Sequence, residues 1–519
     1  MTKEKRFTIK VALIVAMGGF LMGFDASVIS GVVKFIEPEF ELTKLELGWA
    51  VSSLTITATL AMMLAGPLSD KFGRKRLLKY TAIIFAVSAI GSALAPTFIT
   101  FVIARMIGGF GVGASLILAP IYIAEISPAK IRGQMVSFNQ LNIVLGISVA
   151  FFTNYLILHL GQSDAGWVQA LKLDQWNWRW MLGLEILPAI LYFVALFIVP
   201  ESPRWLAMNS REGEALEIMK KVTDEEDAKE QLKAIHDSLE GYAEKEKVSF
   251  KELFKPAMKL VLTIGIGLAI LQQITGMNAV LFYAPMIFEQ SGISTDASFI
   301  QAILVGLTNL LFTIVAILLI DKLGRKPLLT FGLSGMTIAM FVLAFGFNSA
   351  SYTLSKDSAN KLPTEINQSQ LDPLIGQTFD DELTYKAALT TALGEDVFKE
   401  QESSLITAAA SINSLLILIG ILLFVASFAV SIGPIMWVMF SELFPNRIRG
   451  LAISFVGLIS SAISFGVQLL FPWELANLGN TMTFLIFGVF SALGFVFIVW
   501  KVPETKGKSL EEIEAMLVK

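Results

Sequence analysis

The sequence predicts an all-α membrane protein: twelve transmembrane helices in two six-helix bundles, with cytoplasmic linker helices between them. Three observations carry that expectation. Of 519 residues, 54% are hydrophobic and 16% charged, and the mean hydropathy is +0.66, more apolar surface than a soluble core can bury. Windows of roughly twenty apolar residues, enough to cross a bilayer, fall at about 9–36, 46–68, 77–95, 98–124, 134–160 and 179–199. After a polar stretch, six more follow at about 258–289, 298–320, 327–347, 405–440, 450–471 and 480–500. The third observation is internal duplication. GPLSDKFGRKR (66–76) is echoed by LLIDKLGRKPL (318–328), EISPAKIRG (125–133) by ELFPNRIRG (442–450), and PESPRWL (200–206) by PETKGKSL (503–510). Matches in the same order predict two homologous bundles, the parallel-repeat plan of many secondary transporters.

The expected organisation is an N-terminal bundle at 1–200, a linker at 201–257, a C-terminal bundle at 258–500 and a tail at 501–519. Lys3, Lys5, Arg6 and Lys10 precede the first apolar run. A signal peptide shares that start, but this run is long, contains Asp25 and is followed by many more spans, which favours a first transmembrane helix. Lys and Arg cluster in alternate short loops: Lys71, Arg74, Lys75, Arg76 and Lys79; Lys130 and Arg132; Lys322, Arg325 and Lys326; Arg447 and Arg449. The positive-inside rule makes that side cytoplasmic, with both termini, in a cell (inner) membrane.

Spacing between the repeats locates an insertion. Asp70 and Glu125 lie 55 residues apart and Asp321 and Glu442 lie 121 apart, a surplus of 66 that falls mostly within 348–404 on the extracytoplasmic side. That segment has ten acidic residues against four lysines and a helix-compatible TYKAALTTALG, which reads as a small surface cap or partly ordered loop rather than a capturing device. In the linker, Leu216, Met219 and Val222, then Leu232, Ile235 and Leu239, recur at helical spacing among Glu and Lys, predicting short amphipathic helices. The tail SLEEIEAMLVK predicts another, with Ser509 as N-cap.

Several classes are excluded. The net charge of −4 comes with no basic field for nucleic acid. With no cysteine, and His159 and His236 the only histidines, a Cys- or His-built metal centre is not expected. GKS at 507–509 lacks the earlier glycine of a phosphate loop, since Val502 stands there. GGFGVG (108–113) lies inside an apolar helix without a preceding strand, which points to close helix packing. Nucleophile elbows and HExxH motifs are absent, so neither an enzyme nor a bound cofactor is expected. The oligomeric state is not readable.

Three ionisable residues fall within spans: Asp25, Arg105 and Glu185. At about 1.5 Å per residue, Asp25 and Glu185 each stand roughly 22 Å from the cytoplasmic end, and Arg105 about 17 Å, within reach of a long side chain. A static ion pair and a proton-linked one both account for them; intramembrane carboxylates beside a cavity favour the second. Uncharged polar residues form another mid-depth set: Gln140, Gln272, Gln273, Asn278 and Asn309, with Trp437. Each can be helix–helix glue. Together, amides and an aromatic face also match a neutral polyhydroxylated ligand. The duplicated loops DKFGRKR and DKLGRKP serve either as anchors or as a gate. In the second case Asp70 and Arg74, or Asp321 and Arg325, pair with Glu125 and Arg132, or with Glu442 and Arg449.

These residues resemble the sugar porters of the major facilitator superfamily. The likeness rests on GFDASVISG, GPLSDKFGRKR, RMIGGFGVG, PIYIAEISPAKIRG, PESPRWL, QQITGMNAVLFYAP, DKLGRKP, SELFPNRIRG and VPETKGKSLEEIE. The resemblance implies sugar contacts from Gln140, Gln272, Gln273, Asn278, Asn309 and Trp437, with Tyr283 near the outer gate. It also matches Asp25, Arg105 and Glu185 to the coupling positions of bacterial xylose-type proton symporters; facilitative animal glucose transporters carry Asn where Asp25 stands. The partners it implies are a small-molecule sugar, a proton and the lipid bilayer. Ile147, Ile432, Ser460 and Ser461 depart from the xylose symporters, so sugar identity does not carry over. A proton-coupled symporter is the leading expectation, and a uniporter or sensor of the same fold is its rival.

Overall fold

A computed structural model describes residues 3–128, 131–243, 249–363, 366–445, 447–508 and 510–517. Lys130 and Ser509, to which a loop charge and a helix cap were assigned above, lie outside them. The protein is an all-α membrane protein. Among the described residues, eleven helices are long and apolar enough to span a membrane. The last, Arg449–Lys501, contains 53 residues and two arms that meet at Gly479, whose φ of 76° interrupts the helical geometry.

The chain forms two compact units. One comprises Met1–Val28, Ser53–Ala150 and Arg179–Lys255; the other comprises Ile29–Ser52, Phe151–Trp178 and Pro256–Lys519. In the first, the second span (Lys44–Phe72) and the fourth (Phe98–Ile126) approach through glycine. A Cβ at Gly109 would collide with the Leu54 carbonyl and Thr57, and one at Gly113 with the Ala58 carbonyl. Four-residue spacing puts both glycines on one face, so GGFGVG is helix packing in this fold. Around this crossing Val15, Leu21, Phe85, Leu118, Tyr122 and Tyr192 are fully buried. Of the linker residues, Met219 and Val222 are buried, and helices form at Pro203–Met208, Glu212–Met219 and Glu225–Ala243.

Proline sets where the spans break. The sixth runs as Asn177–Gly183 and Ile186–Ala195, because Pro188 has no N–H for the Leu184 carbonyl. The seventh is divided into Lys259–Ile274, Met277–Phe282 and Ala284–Gln290. Gly276 at φ 91° supplies the first division, and Pro285 the second. The tenth breaks at Ser431, between Ser414–Val430 and Ile432–Leu443, three residues before Pro434. The helix expected from about 405 therefore starts at Ser414, where Asn413 Oδ1 accepts from the Leu416 N–H at 3.1 Å.

Residues just before that cap complete an inserted domain with its own core. Strands β1 (Ser351–Thr353), β2 (Thr378–Phe379) and β3 (Ala410–Ser411) form an antiparallel sheet in the order β2-β1-β3. Helices Glu382–Leu393 and Glu395–Ala409 cover it. Tyr352, Leu354, Leu371, Tyr385, Leu389 and Leu405 are buried there, and the rings of Tyr352 and Tyr385 stack at 5.5 Å. Asp381 caps the first helix, accepting from the Leu383 and Thr384 N–H groups. The strands were not expected; at two or three residues each they are too short to show an alternating pattern.

Candidate functional site

Asp25, Arg105 and Glu185 converge in the first unit and are respectively 0%, 1% and 1% exposed. Arg105 Nη1 donates to Asp25 Oδ1, and Nη2 donates to the Asp25 carbonyl at 3.1 Å. Glycine makes the space for this. A Cβ at Gly108, one turn after Arg105, would stand 2.8 Å from Asp25 Oδ2 and would collide with Ser88 Oγ. Glu185 occupies the break in the sixth span, within electrostatic reach of both partners. Among the described residues, Asp25 Oδ2, Arg105 Nε and Glu185 Oε1 have no hydrogen-bond partner. Two carboxylates thus share one guanidinium: the trio carries −1 when all are ionised and is neutral with one proton bound. Burying such groups is expensive unless they are paired, and the pairing here is incomplete.

The amides of the seventh span form a hydrogen-bonded chain in the second unit. Gln272 Nε2 donates to the Gly433 carbonyl at 3.2 Å, in the broken tenth span. Gln273 Nε2 donates to Gln272 Oε1 at 3.1 Å and to Ser460 Oγ at 3.0 Å. Asn278 Nδ2 donates to Gln273 Oε1 and Ser464 Oγ, both at 2.8 Å, and Gln468 Nε2 to Ser464 Oγ at 2.7 Å. Tyr283 then closes the chain through its hydroxyl, 3.0 Å from the Gln468 carbonyl. That carbonyl is available because Pro472, four residues on, has no N–H to offer it. Both amide hydrogens of Gln273 and of Asn278 are engaged. Among the described residues, Asn278 Oδ1 and one Gln272 N–H have no hydrogen-bond partner, an acceptor and a donor of the kind a hydroxyl requires.

The other predicted contacts stand outside this chain. Asn309 is buried on the eighth span, while Trp437 is 42% exposed and meets Phe440 edge-on. Gln140, half-buried, belongs to the first unit.

The duplicated loops build matching charge clusters, one in each unit. Arg74 holds Glu125 at 3.0 Å and Asp70 at 2.7 Å; Arg325 holds Glu442 at 2.8 Å and Asp321 at 3.1 Å. Ser202 donates to Glu125 and Thr505 to Glu442. Neither Arg132, which is exposed, nor Arg449, which donates to the Phe444 carbonyl, joins these clusters among the described residues.

Sequence reasoning missed a third carboxylate beside each cluster. Glu201 accepts from the Lys75 and Ser202 N–H groups, and Glu504 from those of Arg325, Lys326, Thr505 and Lys506. Each caps a helix that starts after a glycine at φ 95° or 99°. A Cβ at Gly73 or Gly324 would stand 2.6 Å from the Glu201 or Glu504 carboxylate, so both glycines are required twice over, by conformation and by space. Partial burial would raise the Glu504 carboxyl, but the four N–H groups outweigh it and hold it below the usual range. The PES and PET repeat carried that signal, as the four-residue spacing of Ser460, Ser464 and Gln468 carried the one for the amide chain.

A buried ion trio inside apolar spans, and an amide chain built on broken ones, belong to a polytopic membrane protein, and the comparisons with known proteins place it among the transporters. The sequence profile of the sugar (and other) transporter family matches residues 11–362 and 387–517, and the gap falls inside the inserted domain. The arabinose-proton symporter of Bacillus subtilis is 36% identical, covering 99% of this chain and 96% of that protein. The D-xylose-proton symporter of Escherichia coli is 34% identical over 98% and 96%. Solved structures of the E. coli xylose transporter XylE match too. The inward open conformation gives a TM-score of 0.75 at 32% identity, covering 98% of this chain and 100% of that one. The form bound to 6-bromo-6-deoxy-D-glucose gives 0.69 at 33%, over 99% and 100%. The chain belongs to the sugar (and other) transporter family and is a multi-pass inner-membrane protein.

Proposed function

We propose that this protein is a secondary active transporter that moves a monosaccharide or related polyol with protons, in symport, by alternating access. The observation that carries the reading is the buried Asp25–Arg105 pair with Glu185 in reach. Such groups inside a membrane-spanning fold are costly and mark coupling sites. The relatives named as arabinose-proton and D-xylose-proton symporters support it. When Asp25 takes a proton, its attraction for Arg105 falls and the guanidinium turns toward Glu185. Sugar binds at Gln272, Gln273 and Asn278, with Gln140, Asn309 and Trp437 completing the contacts and Tyr283 beside the outer gate. The bundles 1–200 and 258–500 then rock about the site. The Arg74–Glu125 and Arg325–Glu442 clusters, with Asp70, Asp321, Arg132 and Arg449, gate the cytoplasmic side. Both termini lie in the cytoplasm.

The test is sugar accumulation in proteoliposomes with and without an inward proton gradient. Symport gives accumulation only with the gradient; equal levels in both refute it and leave a uniporter.

A further inference from the structure

The inserted domain reaches residues from the opposite end of the chain. Lys44, opening the second span, pairs with Glu37 at 2.6 Å and with Glu402 of the insertion at 3.3 Å. Glu402 turns its other oxygen to Lys386 at 2.8 Å, and Lys386 also holds Glu382 at 2.6 Å. Asn480 of the last helix donates to Glu382 at 2.6 Å. Lys34, near the end of the first span, pairs with Glu289 at 2.6 Å and donates to Thr295. Beside these pairs the insertion helix Glu395–Ala409 packs on Ala284–Gln290 of the broken seventh span. All these residues belong to the second unit.

The connectivity of the charges matters more than their number. Removing one partner of a buried pair is costly because it strands the other. At the Lys44–Glu402 contact no charge is stranded by separation: Lys44 keeps Glu37, and Glu402 keeps Lys386. Lys34 is 29% exposed, so water can receive it when Glu289 withdraws. The Lys44–Glu402 contact is a joint between two ion pairs that both survive its opening, Lys44–Glu37 and Lys386–Glu402.

We propose that the insertion is an outer gate element of this transporter. Lys44–Glu402 and Lys34–Glu289 hold the extracytoplasmic end shut, and both part each time the site opens outward. This rests on the alternating-access reading, in which the two halves of the chain separate at that end. A purely structural cap would instead stay joined to residues 34–44 throughout transport.

The chain has no cysteine, so Lys44→Cys with Glu402→Cys gives a unique thiol pair. Proteoliposomes carrying it are treated with a short, reductively cleavable bis-thiol cross-linker. Uptake of a mixture of radiolabelled D-xylose, L-arabinose and D-glucose is then measured. Cross-linking is expected to lower uptake at least tenfold, and cleavage to restore it. Ala387→Cys with Thr391→Cys, on one exposed face of an insertion helix, is the control, and its uptake stays unchanged. Uptake by the cross-linked gate pair at the untreated rate overturns the proposal, as does equal inhibition of the control. Should the first pair not fold, Glu37→Cys with Glu402→Cys, the two carboxylates that flank Lys44 across the same joint, carries the same expectations. A wild type that takes up none of the three sugars refutes the transport reading and this inference with it. A failure of the gate alone shows instead as normal uptake in both wild type and cross-linked protein.

Discussion

Replacing Asp25 with asparagine tests coupling most directly, because geometry is nearly conserved while the titrating group is lost. An asparagine oxygen can still accept from Arg105 Nη1, and the backbone carbonyl still accepts from Nη2 at 3.1 Å. Breaking a buried ion pair costs about 3–5 kcal/mol when the surviving charge is stranded. Here Glu185 remains in reach of the guanidinium, so Asp25→Asn should cost well under that, and the full penalty should appear only when Glu185→Gln is added. The functional effect is larger. An inward gradient of one pH unit supplies about 1.4 kcal/mol per proton, which at one proton per sugar sustains roughly tenfold accumulation. Asp25→Asn should reduce that to about onefold while leaving counterflow exchange within a few-fold of wild type, since exchange needs no net proton movement. The assay is paired uptake and counterflow in proteoliposomes, with thermal unfolding in detergent as the check on folding. A variant that still concentrates sugar tenfold would show that Asp25 is structural and that the proton travels elsewhere.

Tyr283→Phe should destabilise the protein by about 0.5–1.5 kcal/mol, because it removes the buried hydrogen bond that the hydroxyl donates to the Gln468 carbonyl at 3.0 Å; an unchanged unfolding midpoint would contradict this. Gly108→Ala should impair both folding yield and sugar accumulation, since its Cβ meets Ser88 and Asp25, and wild-type accumulation from the purified variant would argue against the packing account. The inserted domain should loosen in acid. Burial would raise Glu402, but Lys386 and Lys44 overcome it and hold the carboxyl at about 2, below the ordinary 4.5. A depressed carboxyl stabilises fully above its unfolded value, and that contribution is lost as pH falls through the folded one. Hydrogen exchange across 382–409 should therefore be slow at about pH 5 and accelerate below about pH 3; a rate independent of pH, after correction for intrinsic exchange, would sink the assignment.

What could be read in advance follows the range over which each cause acts. Apolar length and loop charge are summed over twenty residues, so the spans emerged, and Asp25, Arg105 and Glu185 stood out because a charge in hydrocarbon is conspicuous wherever its partner lies. Helix breaks were legible in principle, since Pro188, Pro285 and Pro434 each remove one fixed N–H, yet hydropathy windows run straight across them. The role of Glu201 and Glu504 was hidden for another reason. Their partners are backbone N–H groups, adjacent ones and others more than a hundred residues away on Lys75, Arg325 and Lys326, and no side-chain pattern announces a backbone donor. Lys44 and Glu402 are harder still: each has a local or near-local partner, Glu37 and Lys386, so neither looked unsatisfied in sequence. A charge with two partners, one of which can leave without stranding it, is invisible to any rule that asks only whether a charge is paired. The same redundancy lets such a contact open and close, and so marks where a moving joint can be built into a membrane transporter.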